Sequence, residues 1–258
     1  VTDRVDLERR GPVATLTLHN PRIRNALTWR MYEQLDAHYG TLAADRSIRV
    51  VVVRGAGGQA FAAGTDIAQF REVPDGDAGV EYEAKVGGVI ERLAALPVPT
   101  VAAVEGPAAG AGLAIATACD LIVCTPDAVF GVPVARTLGN CISPVMQARL
   151  YACLGRSRAL AMLLTAELLT AEQAREAGLV WRVLGRAGFD THVDELADRI
   201  AGNAPLTLAA VKRIDTRLMS TADRTEAEDV FRMCYGSADF AEGVDAFLTK
   251  RAPVWQGR

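Results

Sequence analysis

Val13-Ala-Thr-Leu-Thr-Leu18 alternates apolar and polar positions, the period-two pattern of a strand. A loop at 19–24 follows. From Thr28, a good N-cap residue, Met31, Leu35 and Leu42 recur at helical spacing. The β-branched run at 48–54 predicts a buried strand, closed by Gly55-Ala-Gly-Gly58. Residues 71–80, punctuated by Pro74, Gly76 and Gly79, are expected to form a flexible loop. Val86, Ile90 and Leu93 mark a helix that stops before Pro97-Val-Pro99. A strand at 100–104 leads through the glycine-rich turn 106–112 into a small-residue helix at 113–119, then a strand at 121–124. Residues 129–134 read as short and extended, with helices at 145–154 and 157–166. Thr170-Ala-Glu-Gln173 has the capping-box pattern, and Gly178 suits the end of that helix. A last strand is expected at 180–184. Beyond it the pattern is helical only, at 192–202, 205–219, 222–236 and 239–250.

Strands alternate with helices for about 190 residues and helices follow alone, an order that predicts α/β with a mostly parallel sheet. The expected division is a β/α core over 1–190 and a helical region over 191–258. Composition agrees with a folded chain: 50% of residues are hydrophobic and 23% charged. The net charge is −3, so there is no basic field to attract nucleic acid or an anionic membrane. Mean hydropathy is +0.14, yet the charge-free run after Glu105 is 14 residues, short of the ~20 a spanning helix needs. The first residues carry no apolar signal core. Five cysteines without a CxxC pair predict reduced thiols in a cytoplasm-like compartment. The three histidines, His19, His38 and His192, form no metal-ligand spacing.

The turn Gly106-xxx-Gly110-x-Gly112 is the first candidate for chemistry. A dinucleotide site is one use, but the turn lies mid-chain, and neither a Tyr-xxx-Lys pair nor a phosphate-binding lysine follows it. Close packing of helix on sheet is another. A third fits better: such turns aim backbone N–H groups at an oxygen that becomes negative during reaction. A second small-residue turn, Ala60-Phe-Ala-Ala-Gly-Thr-Asp-Ile67, completes an oxyanion hole if the two face each other; Asp66 reads equally well as a helix cap.

Several segments, in order, resemble the enoyl-CoA hydratase/isomerase (crotonase) superfamily. They are Asn20-Pro-Arg-Ile-Arg-Asn-Ala-Leu27, Phe61-Ala-Ala-Gly-Thr-Asp-Ile67, and Val101-Ala-Ala-Val-Glu-Gly106 through Cys119-Asp-Leu-Ile122. Phe130-Gly-Val-Pro133, Leu169-Thr-Ala-Glu-Gln-Ala174 with Ala177-Gly-Leu-Val180, and Asp239-Phe-Ala-Glu-Gly243 with Phe247 and Lys250 follow. The resemblance implies a spiral of ββα units, a C-terminal helical trimerisation region, and a homotrimer or dimer of trimers. It implies an acyl-CoA thioester substrate, with coenzyme A as part of that substrate and no separate cofactor or metal. Carried over by position, the oxyanion donors are the N–H groups of Thr65 and Ala111. Arg24, Ala26, Leu27, Ala63, Asp66 and Ile67 border the CoA, and Phe247 and Lys250 reach a neighbouring subunit's CoA.

The resemblance breaks at two positions. Hydratases of this family hold water between two glutamates. Here the first position is Ala114, and the second is Val134 or Ala135, depending on where one inserted residue is placed. None of these transfers protons, so ordinary hydration is expected to be slow or absent. Arg136 and Asn140 flank the altered segment and are candidates to hold a substrate carboxylate. Cys141 and Ser143 lie nearby, and Cys141 lacks a histidine partner. Glu72, Asp75, Asp77, Glu81 and Glu83 are expected in the loop over the acyl pocket, where one could supply an acid or base. Three readings stay open: an enolate-stabilising acyl-CoA lyase or isomerase, an acyl-CoA decarboxylase or other carbon–carbon lyase, and a non-catalytic acyl-CoA-binding protein.

Overall fold

The computed structural model describes residues 3–219 and 227–257. In chain order the strands are β1 (Arg4–Arg10), β2 (Val13–His19), β3 (Val50–Gly55), β4 (Thr100–Val104), β5 (Pro107–Ala109), β6 (Leu121–Cys124), β7 (Val129–Gly131), β8 (Leu169–Thr170) and β9 (Arg182–Val183). The helices are α1 (Trp29–Ala44), α2 (Gly76–Ala94), α3 (Ala111–Ala118), α4 (Val134–Thr137), α5 (Pro144–Thr165), α6 (Ala171–Glu176), α7 (Phe189–Ala201), α8 (Pro205–Met219), α9 (Glu228–Tyr235) and α10 (Ala238–Thr249).

The main sheet runs β1-β2-β3-β4-β6-β9 and is parallel except for the β1–β2 hairpin. A small sheet, β5-β7-β8, takes the strands that follow β4 and β6 in the chain. Thus β4-β5-α3 and β6-β7-α4 are successive turns of the ββα spiral the resemblance implies. Alternation divides the main sheet between two cores. Leu16, Val51, Val53, Ala102 and Val104 face one cluster, which also holds residues of α1, α2 and α3. Val13, Val50, Val52, Val101 and Ala103 face the other, under Phe189, Val193 and Ala197 of α7. A sheet covered on both faces requires the near-continuous apolar strands seen in the sequence. Tyr235 of α9 and Phe240 and Val244 of α10 return to the first core.

Two expectations need correction. Residues 71–80 are not a flexible loop. A 3-10 turn covers Ile67–Glu72, and α2 begins at Gly76, with the Asp75 carboxylate accepting the Ala78 N–H at 2.9 Å. Its glycines are notches rather than breakers. A Cβ on Gly76 would lie 2.6 Å from Arg232 Cα, and one on Gly79 would lie 2.2 Å from Tyr235 Cβ, because α9 lies against this face. Of the stretch 129–134 expected to be extended, β7 covers Val129–Gly131, but Val134 opens a helical turn, Val134–Thr137. The two helices expected at 145–154 and 157–166 are present as the two halves of α5, separated at Gly155, whose φ of 72° is not helical. The start of the helix expected at 222–236 lies outside the described residues. The capping box at Thr170 forms as expected: Gln173 N donates to Thr170 Oγ1 at 3.3 Å, and Thr170 N to Gln173 Oε1 at 2.9 Å.

Candidate active site

The site is built first from backbone. Asn25, buried and at φ 57°, donates from Nδ2 to the carbonyls of Ala56 and Ala60 at 2.9 and 2.8 Å, and its Oδ1 accepts the Asn20 N–H at 3.0 Å. This fixes the loop 20–27 on the segment 60–66. Three backbone hydrogen bonds then join them: Ala63 N to Arg24 O at 3.1 Å, Leu27 N to Gly64 O and Asp66 N to Leu27 O, both at 2.8 Å. Six of the residues expected to border CoA, namely Arg24, Ala26, Leu27, Ala63, Asp66 and Ile67, are therefore brought together. Asp66 also caps the following turn, its Oδ1 accepting Ala68 N–H at 3.1 Å. Phe247 and Lys250 lie elsewhere, on the exposed end of α10.

The bridge between Leu27 and Thr65 uses the groups on either side of Thr65, so the Thr65 N–H points to the opposite edge. On that edge lies the second turn. Ala62 bridges Ala108, with Ala109 N donating to Ala62 O at 3.0 Å. Only glycine permits this approach: a Cβ on Gly112 would lie 2.1 Å from Ala62 O, and one on Gly106 2.3 Å from Gln59 O. Gly110 stands at φ 51°, ψ −119°, and turns the chain into α3, whose first N–H groups, Ala111 included, have no partner within the helix. Thr65 is held on its side chain as well. Its buried Oγ1 lies 2.7 Å from Tyr32 Oη and 3.0 Å from Tyr82 Oη.

Ala111 lies on the wall of a cavity of about 70 Å³. α2 contributes Tyr82, Glu83, Val86 and Ile90; Ala114 and Val134 form part of the opposite wall; Asn140, Cys141, Met146 and Arg149 close it. Ala114 and Val134, two of the positions at which the resemblance expects a hydratase's glutamates, stand on the cavity, whereas Ala135, the alternative to Val134, is exposed. Asn140 lines the cavity as expected. Arg136 does not: it is exposed and outside it. The cause is the helical turn of α4, in which Arg136 N and Thr137 N both donate to Pro133 O at 3.0 and 3.1 Å. Two residues along a helix is about 200° of rotation, so a turn that faces Val134 inward carries Arg136 away.

Sequence reasoning named Asn140 and left Glu83 as one of five acidic candidates, but it missed Tyr235, which joins them. Glu83 is on α2, not in a loop. The Tyr235 hydroxyl donates to Glu83 Oε1, and Asn140 Nδ2 donates to Tyr235 Oη at 3.1 Å. Burial pushes the Glu83 carboxyl up to about 7, with the Tyr235 hydrogen bond pulling the other way. Burial first, and the nearby Glu83 charge second, hold Tyr235 well above the ordinary phenol range. Burial also raises the Cys141 thiol, which removes the thiolate a nucleophile needs. Ser143 is an N-cap, its hydroxyl accepting Met146 N–H at 3.2 Å. A sequence signal did exist: Gly79 and Glu83 are four residues apart and so share one helix face.

Comparison with known proteins agrees with this architecture. The sequence pattern of the Enoyl-CoA hydratase/isomerase family matches residues 8–258. The chain is 34% identical over 255 residues to 2,3-dehydroadipyl-CoA hydratase of Escherichia coli (strain K12), covering 98% of each chain. It is 33% identical over 254 residues to 1,2-epoxyphenylacetyl-CoA isomerase of the same organism, covering 95% of each. Among solved structures it superposes on methylmalonyl-CoA decarboxylase in complex with 2-nitronate-propionyl-CoA with a TM-score of 0.86, at 25% identity and 98% coverage of both chains. The chain belongs to the enoyl-CoA hydratase/isomerase family.

Proposed function

We propose that this protein is an enzyme acting on acyl-CoA thioesters, a lyase or isomerase that polarises the thioester carbonyl between the N–H groups of Thr65 and Ala111 and stabilises the resulting enolate. The observation that carries this reading is the meeting of two glycine turns at the mouth of an apolar cavity. Gly110 and Gly64 are in ordinary van der Waals reach, a Cβ on the former lying 3.8 Å from the Cα of the latter. Donors fixed by such packing need no reorganisation as charge develops, which is the source of oxyanion-hole catalysis. Arg24, Ala26, Leu27, Ala63, Asp66 and Ile67 would border the CoA, with Phe247 and Lys250 serving a neighbouring copy. Trimeric or hexameric assembly is supported by Leu206, Val211, Ile214 and Leu218 of α8, all exposed in the single chain. Five unpaired cysteines suit a reducing compartment.

Ala114 and Val134 on the cavity wall argue against hydration, which needs a proton donor and a base at those places. Decarboxylation is the second reading. Arg149 on the wall and the likeness to a decarboxylase favour it, although Arg136, first assigned to hold the carboxylate, lies outside the cavity. The test is to incubate the protein with butyryl-CoA in D₂O and follow α-hydrogen exchange by mass spectrometry, beside turnover of an acyl-CoA panel. Exchange is expected, with crotonyl-CoA hydration well below the ~10 s⁻¹ of an ordinary enzyme. Hydration at that rate would overturn the reading of the two missing glutamates. CoA binding by calorimetry with neither exchange nor turnover would make the protein a carrier.

A further inference from the structure

We infer that Glu83 is the proton-transfer residue of this site, with Tyr235 and Asn140 as its positioning residues; the inference rests on the acyl-CoA reading above. The two places where hydratases keep carboxylates hold Ala114 and Val134, so an enolate formed here needs its base elsewhere. Among the described residues the cavity is lined by two carboxylates, Glu83 and Glu91. Glu91 is exposed, at the far end of α2. The Glu83 carboxylate is fixed by a buried partner, the Tyr235 hydroxyl.

That fixing has a specific construction. Gly79 lies one helical turn before Glu83, and its missing side chain lets the Tyr235 ring rest on α2, 2% exposed, with its hydroxyl at Glu83 Oε1. Asn140 Nδ2 donates to the same hydroxyl oxygen at 3.1 Å, so the single phenolic proton is committed to Glu83. Oε1 is thereby occupied and Oε2 is left for substrate. The groups facing Glu83 are Tyr32 from α1, Tyr82 from its own helix, Tyr235 from α9 and Cys141 from the segment before α5; burial is the largest cause that keeps each of them protonated, and the charge of Glu83 adds to it. Arg149 is a cation on the same wall. Glu83 is therefore the group among these that changes protonation near neutral pH, where an acid–base residue works best.

The step balances without a co-reactant. Glu83 carboxylate takes the α-proton; the C–H pair becomes the enolate double bond, and the carbonyl π pair moves to the thioester oxygen. The same carboxyl then returns a proton to the α-carbon, or to the γ-carbon where a double bond adjoins, and the oxygen pair folds back to the carbonyl.

The experiment is α-hydrogen exchange of butyryl-CoA in D₂O across pH, with CoA affinity measured by calorimetry. Glu83→Gln is expected to slow exchange by ~10²–10⁴ while CoA still binds. In the unaltered protein the rate rises with pH through an inflection near 7, since the ionised form is the base. Tyr235→Phe removes a hydrogen bond that favours the ionised form, so it shifts that inflection upward, an effect that mere packing does not produce. Exchange by Glu83→Gln at the unaltered rate, or with the inflection retained, overturns the inference and leaves the acyl-CoA reading standing. No exchange in the unaltered protein sinks both.

Discussion

The two sides of the cavity are built from different materials. The side made by residues 20–28, 60–67 and 106–112 is backbone: bridges between loops, glycines where chains touch, and N–H groups aimed outward. The side made by α2, the 132–149 segment and α9 is side chain: Glu83, Asn140, Tyr235, and alanine or valine where relatives of another reaction carry glutamate. A backbone surface tolerates replacement of its side chains as long as its close approaches survive, and in the proposed function it serves one functional group, the thioester. A side-chain surface changes its chemistry with each substitution. A family whose members include a named hydratase, isomerase and decarboxylase suits a site divided in this way.

The sharpest attack on the comparison removes one N–H from the backbone side. Ala111 is the first residue of α3, where proline is well tolerated. Ala111→Pro is expected to lower turnover by ~10²–10³ with CoA affinity retained, read in steady-state kinetics and calorimetry. On the other side, Gly79→Val would drive a side chain into Tyr235. It should cost about 1–3 kcal/mol in urea unfolding and erase the pH inflection near 7, because α9 no longer seats the hydroxyl on Glu83. Thr65→Ala tests where the two sides join. It leaves the hydroxyls of Tyr32 and Tyr82 without their shared partner, at about 1–2 kcal/mol in the same unfolding assay, and should reduce turnover far less than Ala111→Pro. The last test reads stability rather than turnover. From pH 4.5 upward the unfolded chain ionises Glu83 freely, while the folded chain holds that proton until about 7. Glu83→Gln should therefore gain on the parent across that window and keep a constant lead above it, read as a higher Tm by differential scanning calorimetry at pH 8 than at pH 4.5 relative to the parent.

The backbone side was legible in the sequence because its requirements are local. Gly106, Gly110 and Gly112 sit between a strand and a helix, and the run Phe61 to Asp66 contains nothing large after its first residue. Ala114 and Val134 fell on the cavity for the same reason, each lying a few residues from a readable turn. The side-chain wall was not legible. Gly76 and Gly79 carry the marks of a loop, and only the arrival of α9 shows them to be packing surfaces. Glu83 looked like one of five acidic residues over a pocket, and its distinction is a contact with Tyr235, 152 positions away. Arg136 failed as a candidate through a single helical turn, which periodicity over four residues does not reveal.

The span between Glu83 and Tyr235 has a consequence for the order in which the protein acquires its parts. During synthesis the strands, both glycine turns and α2 leave the ribosome long before α9, and domains fold from the N-terminal side first. Until α9 docks, the face of α2 around Gly79 meets water and Glu83 is an ordinary, weakly basic carboxylate. A chain stopped short of residue 228 would therefore carry the thioester turns without a tuned proton acceptor. Capture of the ligand and competence to transform it are completed at opposite ends of translation.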